Sequence, residues 1–471
     1  MLHKVYRDSL STLTDLYQLT MMNGYWKNEM ADRKAVFHLY FRKNPFQGDY
    51  AITAGLDLVI SWLDQFSFPY EDIRYLAQLK GRDGRPLFQE GFLNFLQRSS
   101  FECDVHAIPE GTIVFPNQPL IRVEGPLWQG QYIETALLTL MNFSTLIATK
   151  AGRIVQAAQG DEVLEFGLRR AQGIDGGLTA TRSAYIGGCS ATSNVLAGKT
   201  LEIPVKGTHA HSWVMCFEEE LDAFDAYANA LPNNCIFLVD TYNTEEGVKK
   251  AIKIGKKLRA KGQELIGIRL DSGDLNALSQ KARQLLNAAG FDQTKIVASN
   301  DLDEDRIKVL KATGAQIDLW GIGTRLVTAR NQPALGGVYK LAAIQDKNGN
   351  WQPKVKLSEE FLKVSNPGCL QVRRLTHTSG IHEKDVLYNQ WEHQLQESSS
   401  RKGIIEKDLL IPIYRKGKRV YESPDIHQIR AHSLAEQQLI QRTLAELGRP
   451  YSQEMDPLLR NLKQQIVAQH R

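Results

Sequence analysis

Two imidazoles stand two positions apart in the segment V-K-G-T-H-A-H-S-W-V-M, residues 205–215. Ile203 and Val205 are β-branched and Gly207 breaks the run. Thr208, His209, His211 and Ser212 follow, and Trp213 opens a helix-compatible stretch. A parallel strand that ends in glycine, hydroxyl and imidazole is the lip of an α/β enzyme site. Imidazole is also the side chain suited to proton transfer or nucleophilic attack near neutral pH. One loop histidine and one satisfied core histidine would give the same string, so the neighbours decide.

Three further clusters sit at the ends of apolar runs. E-F-G-L-R-R (165–170) puts Phe166 where it can stack on a flat ring, with Arg169 and Arg170 placed to meet phosphate or carboxylate. A core phenylalanine beside solvated arginines is the plainer alternative. I-R-L-D-S-G-D (268–274) carries Arg269 among apolar neighbours, where an unpaired cation would be expensive. Asp271 and Asp274 suit ribose hydroxyls or hydrated magnesium, although an Asx turn capping a helix reads the same way. G-I-G-T (321–324) offers close backbone approach to a phosphate, a weak signal alone. Asp240 ends another run, and Ser299, Asn300 and Asp301 another. No metal-ligand spacing of His or Cys appears, so any metal's ligands stay unassigned, and neither G-x-S-x-G nor a P-loop is present.

The elements that must position these groups alternate strand with helix. Runs at 163–166, 203–205, 236–239, 266–270, 296–298 and 317–320 each deliver polar residues at their carboxyl ends, as on the catalytic rim of a barrel. A doubly wound open sheet is the alternative, weakened by the missing G-x-G-x-x-G. Before this lies an α+β layer region. It has a helix over 11–26 with Tyr17 off its apolar stripe, strands at 35–41 and 120–124, and short edge-like strands in the proline-broken stretch 109–126. After it come hairpin signals at 346–349 and 415–419 and two helices, one with a capping box from Ser433 to Glu436 and one from Asp456-Pro457. Asn243 and Glu246 predict another capping box. The domains expected are an α/β sandwich at 1–128, an irregular α/β barrel at 129–344, and a segment at 345–471 that returns to the sandwich and ends in helices.

Bulk properties narrow the function classes. The chain has 471 residues, 42% hydrophobic and 23% charged, enough for a large core. A net charge of +4 is too small for a nucleic-acid binder. Five scattered cysteines form no C-x-x-C pair, and the first residues lack an apolar leader, so a reducing cytoplasmic setting with no membrane association is expected. Aromatic, cationic, carboxylate, hydroxyl and imidazole groups on one rim suit a phosphorylated sugar and a flat heteroaromatic acid. An aldolase or phosphosugar isomerase would need a strand-end lysine or carboxylate base, and Lys206 is the one lysine that stands out.

D-L-Y-Q-L-T-M (15–21), E-F-G-L-R-R-A-Q-G (165–173), G-T-H-A-H-S-W (207–213), I-R-L-D-S-G-D-L (268–275), G-I-G-T (321–324) and G-G-V-Y-K-L (336–341) resemble the nicotinate phosphoribosyltransferases. The resemblance runs from about residue 10 to about residue 370. It implies a type II phosphoribosyltransferase fold, usually dimeric, that joins nicotinate to 5-phosphoribosyl 1-diphosphate in NAD salvage, coupled ligase-fashion to ATP hydrolysis with Mg²⁺. It also implies that His211 is the phosphorylated histidine, with His209 at a variable position. Phe166, and Tyr17 from the other subunit, would sandwich the pyridine ring. Thr208 and Arg269 would approach nicotinate, and Arg169 would lie beside ring or ribose phosphate. Asp271 and Asn300 would meet the ribose, Gly323 and Thr324 its 5-phosphate, and Asp240 the Mg–diphosphate. The related nicotinamide enzyme receives its amide on an acidic residue; 187–199 has none, so nicotinate is the expected substrate. The nicotinamide or quinolinate homologue and, from a different class, a silent nucleotide-binding protein on the same fold are the competing readings. Retention of His211, Arg269 and Asp271 together argues against the second.

Overall fold

The computed structural model describes residues 10–357, 364–392 and 403–469. The chain divides into two compact units, one of residues 1–146 and 334–471, the other of residues 147–333. The first segment supplies β1 (Lys34–Phe41), β2 (Ala51–Ile52), β3 (Asp104–Ala107), β4 (Ile113–Val114) and β5 (Ile121–Pro126). The second unit carries β6 (Glu162–Glu165), β7 (Ala191–Thr192), β8 (Ile236–Leu238), β9 (Gly267–Leu270), β10 (Lys295–Ala298) and β11 (Leu319–Ile322). The chain re-enters the first unit with β12 (Gly337–Gln345), β13 (Trp351–Pro353), β14 (Leu370–His377), β15 (His382–Asn389), β16 (Ile404–Asp408), β17 (Ile411–Arg415), β18 (Lys418–Arg419) and β19 (Ser452–Met455).

In the first unit, among the described residues, β13-β12-β1-β5-β3-β17-β18 form an antiparallel sheet, and β16-β14-β15-β19 form a mixed one in which β19 runs parallel to β15. Seven consecutive residues of β1, from Ala35 to Phe41, are buried. That pattern means both faces are covered, and it explains the unbroken apolar run. The proline-broken stretch does not supply edge strands alone: β5 lies inside the sheet between β1 and β3. Pro109, Pro116 and Pro119 fall outside its strands and Pro126 is its last residue, so none removes an interior ladder bond. The capping box at 433–436 is also corrected. The helix begins at Ile426 and is boxed by Asp425 and Gln428, while Ser433 is buried within it and its hydroxyl accepts from Gln437 Nε2. The helix ends at Gly448, which takes the left-handed conformation that stops a helix. Both hairpins form, β12 with β13 and β17 with β18.

One buried ion pair ties β14 to β15. Arg374 donates through Nε and Nη2 to Asp385, and through Nη2 to the Ile113 carbonyl; both side chains are almost fully enclosed. Arg374→Met should destabilise the protein by about 3–5 kcal/mol, because Asp385 is left buried without its cation. Arg374→Met with Asp385→Leu should recover only part of that loss, because Glu436, Gln118 and Tyr451 each lose a partner as well. Thermal unfolding of both variants checks this, and equal losses in the two would contradict it.

In the second unit β7-β6-β11-β10-β9-β8 form a parallel sheet. Thr192 also bridges Val205 in parallel. Going round, every strand neighbours the one before or after it in sequence, and the last, β11, pairs with the first, β6. That is barrel connectivity, not doubly wound order. The seam lies between Val205 and β8. Residues 203–205, expected as a full strand, give one bridge only: Pro204 has no N–H, and contact is limited to Thr192 N donating to Pro204 O and Lys206 N donating to Thr192 O. Across the seam the Leu238 N–H donates to His209 Nε2 at 3.3 Å. The imidazole thus satisfies an edge donor that a seventh strand would otherwise take. The fold comprises an irregular α/β barrel and an α/β sandwich, with helices at the C-terminal end.

Candidate active site at the strand ends

Arg269 organises the rim. It points inward from β9 with its side chain 16% exposed, and all three nitrogens donate. Nε reaches Ser299 Oγ at 2.9 Å, Nη1 reaches Thr208 Oγ1 at 3.2 Å and Nη2 reaches Asp271 Oδ1 at 3.1 Å. A cation in a buried strand is tolerable because it is saturated in this way. Ser299 Oγ in turn donates to Asp271 Oδ1. Burial alone would raise the Asp271 pKa, but the Ser299 hydrogen bond and the Arg269 charge outweigh it and hold the carboxyl below its ordinary value.

His211 stands at the first turn of the short helix His211–Met215. Its Nδ1 lies 3.1 Å from Thr241 Oγ1 and its Nε2 lies 3.7 Å from Asp271 Oδ2. With the Nδ1 proton directed at Thr241, Nε2 carries the free lone pair, and the side chain is 39% exposed. Asp240 Oδ2 accepts from the Asp271 N–H at 2.8 Å and from Ser272 Oγ at 2.6 Å. Its Oδ1 is buried with no partner among the described residues. Thr208, Asp240, Arg269, Asp271 and Ser299 are therefore one hydrogen-bonded cluster fed by β8, β9, β10 and the loop at 207–212. The His211 ring stands at its edge, bonded to Thr241 and 3.7 Å from Asp271. Thr241 was not singled out from sequence, and Ser299 was named there only as a strand-end hydroxyl.

Phe166 leaves β6 beside β11, its N–H donating to Ile322 O at 2.7 Å. A Cβ on Gly321 would come within 2.8 Å of the Phe166 ring, and one on Gly323 within 3.2 Å of the Phe166 carbonyl oxygen. Both glycines are needed to seat Phe166, whatever else they bind. Asn300 and Asp301 have φ of 108° and 48°. Two consecutive non-glycine residues in the left-handed region cost about 1–3 kcal/mol each, and such strain collects at functional sites. Thr324 begins the short helix Thr324–Val327, whose Arg325 pairs with Asp301 and Asp303. Arg169 lies exposed on the turn Leu168–Arg170, and no bond joins it or Thr324 to the cluster. Tyr17 is on the helix Leu16–Lys27 of the first unit, 48% exposed. His209 is turned away from the rim, buried against Phe224, Tyr227 and Phe237. Burial lowers its pKa, consistent with a neutral ring accepting from Leu238.

Two family models match the chain: the nicotinate phosphoribosyltransferase N-terminal domain over residues 12–142 and the nicotinate phosphoribosyltransferase family over residues 162–362. The chain belongs to the nicotinate phosphoribosyltransferase family. It is 43% identical over 466 residues to the nicotinate phosphoribosyltransferase of Bacillus subtilis, across 96% of this chain and 92% of that one. It is 37% identical over 430 residues to the Homo sapiens nicotinate phosphoribosyltransferase, across 80% and 78% of the two chains. The crystal structure of human nicotinic acid phosphoribosyltransferase superposes with a TM-score of 0.80 at 30% identity, covering 96% of this chain and 99% of that chain. Nicotinate phosphoribosyl transfer in NAD biosynthesis is the activity that family membership gives this chain. Among the described residues no helix is long and apolar enough to cross a membrane.

Proposed function

We propose that the strand-end cluster joins nicotinate to 5-phosphoribosyl 1-diphosphate, yielding nicotinate mononucleotide and diphosphate, with ATP hydrolysis coupled through a phosphate carried on His211. The observation that carries this reading is the Arg269 hub. One guanidinium is held between Thr208 and Asp271, where a ring carboxylate and a ribose can be met from opposite sides. The pyridine nitrogen attacks the anomeric carbon, the bond to diphosphate breaks, and its electron pair leaves with the diphosphate. Positive charge grows on the ribose ring, and Asp271, kept ionised by its neighbours, faces it with Asn300 beside it. Phe166 covers one face of the pyridine ring, and Tyr17 of the partner subunit the other, which makes a homodimer the working form. Arg169 meets ring or ribose phosphate, and the backbone at Gly323 and Thr324 takes the 5-phosphate.

For the coupled step His211 Nε2 attacks the terminal phosphorus of ATP, and ADP leaves with the P–O electron pair. Hydrolysis of the P–N bond later restores the imidazole. Mg²⁺ fits one feature of the site, the unpartnered Asp240 Oδ1. No group of three or more His, Cys, Asp or Glu among the described residues could hold a metal alone. A single carboxylate with diphosphate oxygens and water is the usual magnesium set, and the ion would neutralise charge on the leaving diphosphate.

Diphosphate release tests the reading. It should require nicotinate, rise with ATP, and be far slower with nicotinamide, since 187–199 offers no carboxylate to an amide. Comparable kcat/KM for nicotinamide would overturn the acid preference, and indifference to ATP would overturn the coupling.

A further inference from the structure

Glu165 ends β6 immediately before Phe166, is 1% exposed, and pairs with no cation among the described residues. Both its oxygens are occupied. Oε1 accepts the N–H of Gly167. Oε2 accepts from Thr192 Oγ1 at 2.6 Å and lies 2.9 Å from Thr181 Oγ1. Both oxygens of the carboxylate are engaged by neutral donors. It is well suited to holding its donors in place.

Those donors lead in two directions. Gly167 anchors the peptide that follows Phe166 and opens the turn carrying Arg169. A Cβ at Gly167 would fall 2.2 Å from Val327 Cγ1, so that peptide has no room to shift. On the other side Thr192 Oγ1 accepts the Asn194 N–H at 2.9 Å, and Asn194 Nδ2 donates to Thr181 Oγ1 at 3.2 Å. Asn194 also caps the helix Val195–Leu201 through the Ala197 N–H. The Thr192 backbone takes the Lys206 N–H and gives its own to Pro204, one step before Gly207 and the loop of Thr208 and His211. One carboxylate thus touches the support of the ring-stacking residue and the support of the histidine loop.

We propose that Glu165 is a positioning residue that sets Phe166 against the loop bearing Thr208 and His211, so that the pyridine ring meets Arg269 in register. This rests on the functional reading above. A half-satisfied network is worse than either a full one or none. Glu165→Gln keeps the volume but turns an amide N–H₂ toward at least one donor. KM for nicotinate should then rise roughly tenfold, about 1.4 kcal/mol of binding. KM for 5-phosphoribosyl 1-diphosphate and ATP-dependent phosphate incorporation should stay within about twofold of wild type. Thr192→Val, nearly isosteric, leaves Gly167 and Thr181 on the carboxylate and should shift the same constant by a smaller factor. It decides the matter if Glu165→Gln does not fold. A lowered melting temperature and lowered kcat with KM for nicotinate unmoved in either folded variant would overturn the proposal, because a merely structural carboxylate predicts that pattern. If the wild-type chain released no diphosphate on adding nicotinate, the functional reading would fail first.

Discussion

Replacing His211 by alanine should leave a slow transferase that ignores ATP. The cluster around Arg269 needs nothing from the imidazole: Thr208, Ser299 and Asp271 bond to the guanidinium directly. Transfer of the phosphoribosyl group should therefore persist. What is lost is the nucleophile. Nε2 is the only ring nitrogen left free once Nδ1 faces Thr241, and it stands 3.7 Å from a carboxylate that an added phosphate must displace. On the proposed coupling a phosphohistidine would bring up to two negative charges next to Asp271, and their repulsion would favour a second arrangement of the loop at 207–212. Coupling of this kind is typically worth 1–3 kcal/mol, so ATP should lower substrate KM by roughly 5–150-fold in wild type and not at all in His211→Ala. Steady-state assays with and without ATP give the ratio, and acid-labile, base-stable phosphate on the protein gives the chemistry. Undiminished ATP stimulation in the variant would remove His211 from the coupling.

The strand ends were legible because burial leaves a simple trace. An apolar run that stops at a charged or hydroxylic residue marks where a parallel strand meets the rim, and Asp271 and Asp240 follow that rule, while Arg269 stood out as a cation inside such a run. His211 and His209 do not, since the two imidazoles look alike in the chain. Only the seam separates them, one ring turned inward to accept from Leu238 and the other left on the rim. Composition carries no sign of where a barrel fails to close. Ser299, seen only as a strand-end residue, and Glu165 were given no role from sequence, because their roles are fixed by partners about 30 and 27 positions away. The helix start at Asp425 was missed for a different reason. Ser433 and Glu436 satisfy the capping pattern locally, yet the helix already running from Ile426 buries Ser433 and overrides it. Strand identity along β1 and β5 was clear. Their places in an antiparallel sheet completed by residues about three hundred positions later were not, because pairing across that separation leaves no local pattern.

Arg269→Met should be the most damaging single change at the site. Methionine keeps much of the stem and removes three donated hydrogen bonds, leaving Thr208, Ser299 and Asp271 to compete for water in a half-buried space. Losing one partner of an enclosed, hydrogen-bonded charge pair costs about 2–5 kcal/mol, so kcat/KM for nicotinate should fall roughly 10²- to 10³-fold. Discrimination against nicotinamide should shrink with it, because the cation that prefers a carboxylate is gone. The pH dependence supplies an independent check. In the wild type the Asp271 carboxyl sits below its ordinary value despite burial, held there by Ser299 and Arg269. A depressed folded-state pKa stabilises the protein above the unfolded value, and that contribution is lost as pH falls through the depressed one. Burial is already the largest influence, and without the guanidinium two of those that offset it are lost, so the carboxyl moves upward. The acid limb of the pH–rate profile should therefore move to higher pH in Arg269→Met. If activity drops but the acid limb stays where it was, Asp271 is not the group that must be ionised, and its assignment to the ribose has to be given up while the role of Arg269 toward nicotinate stands.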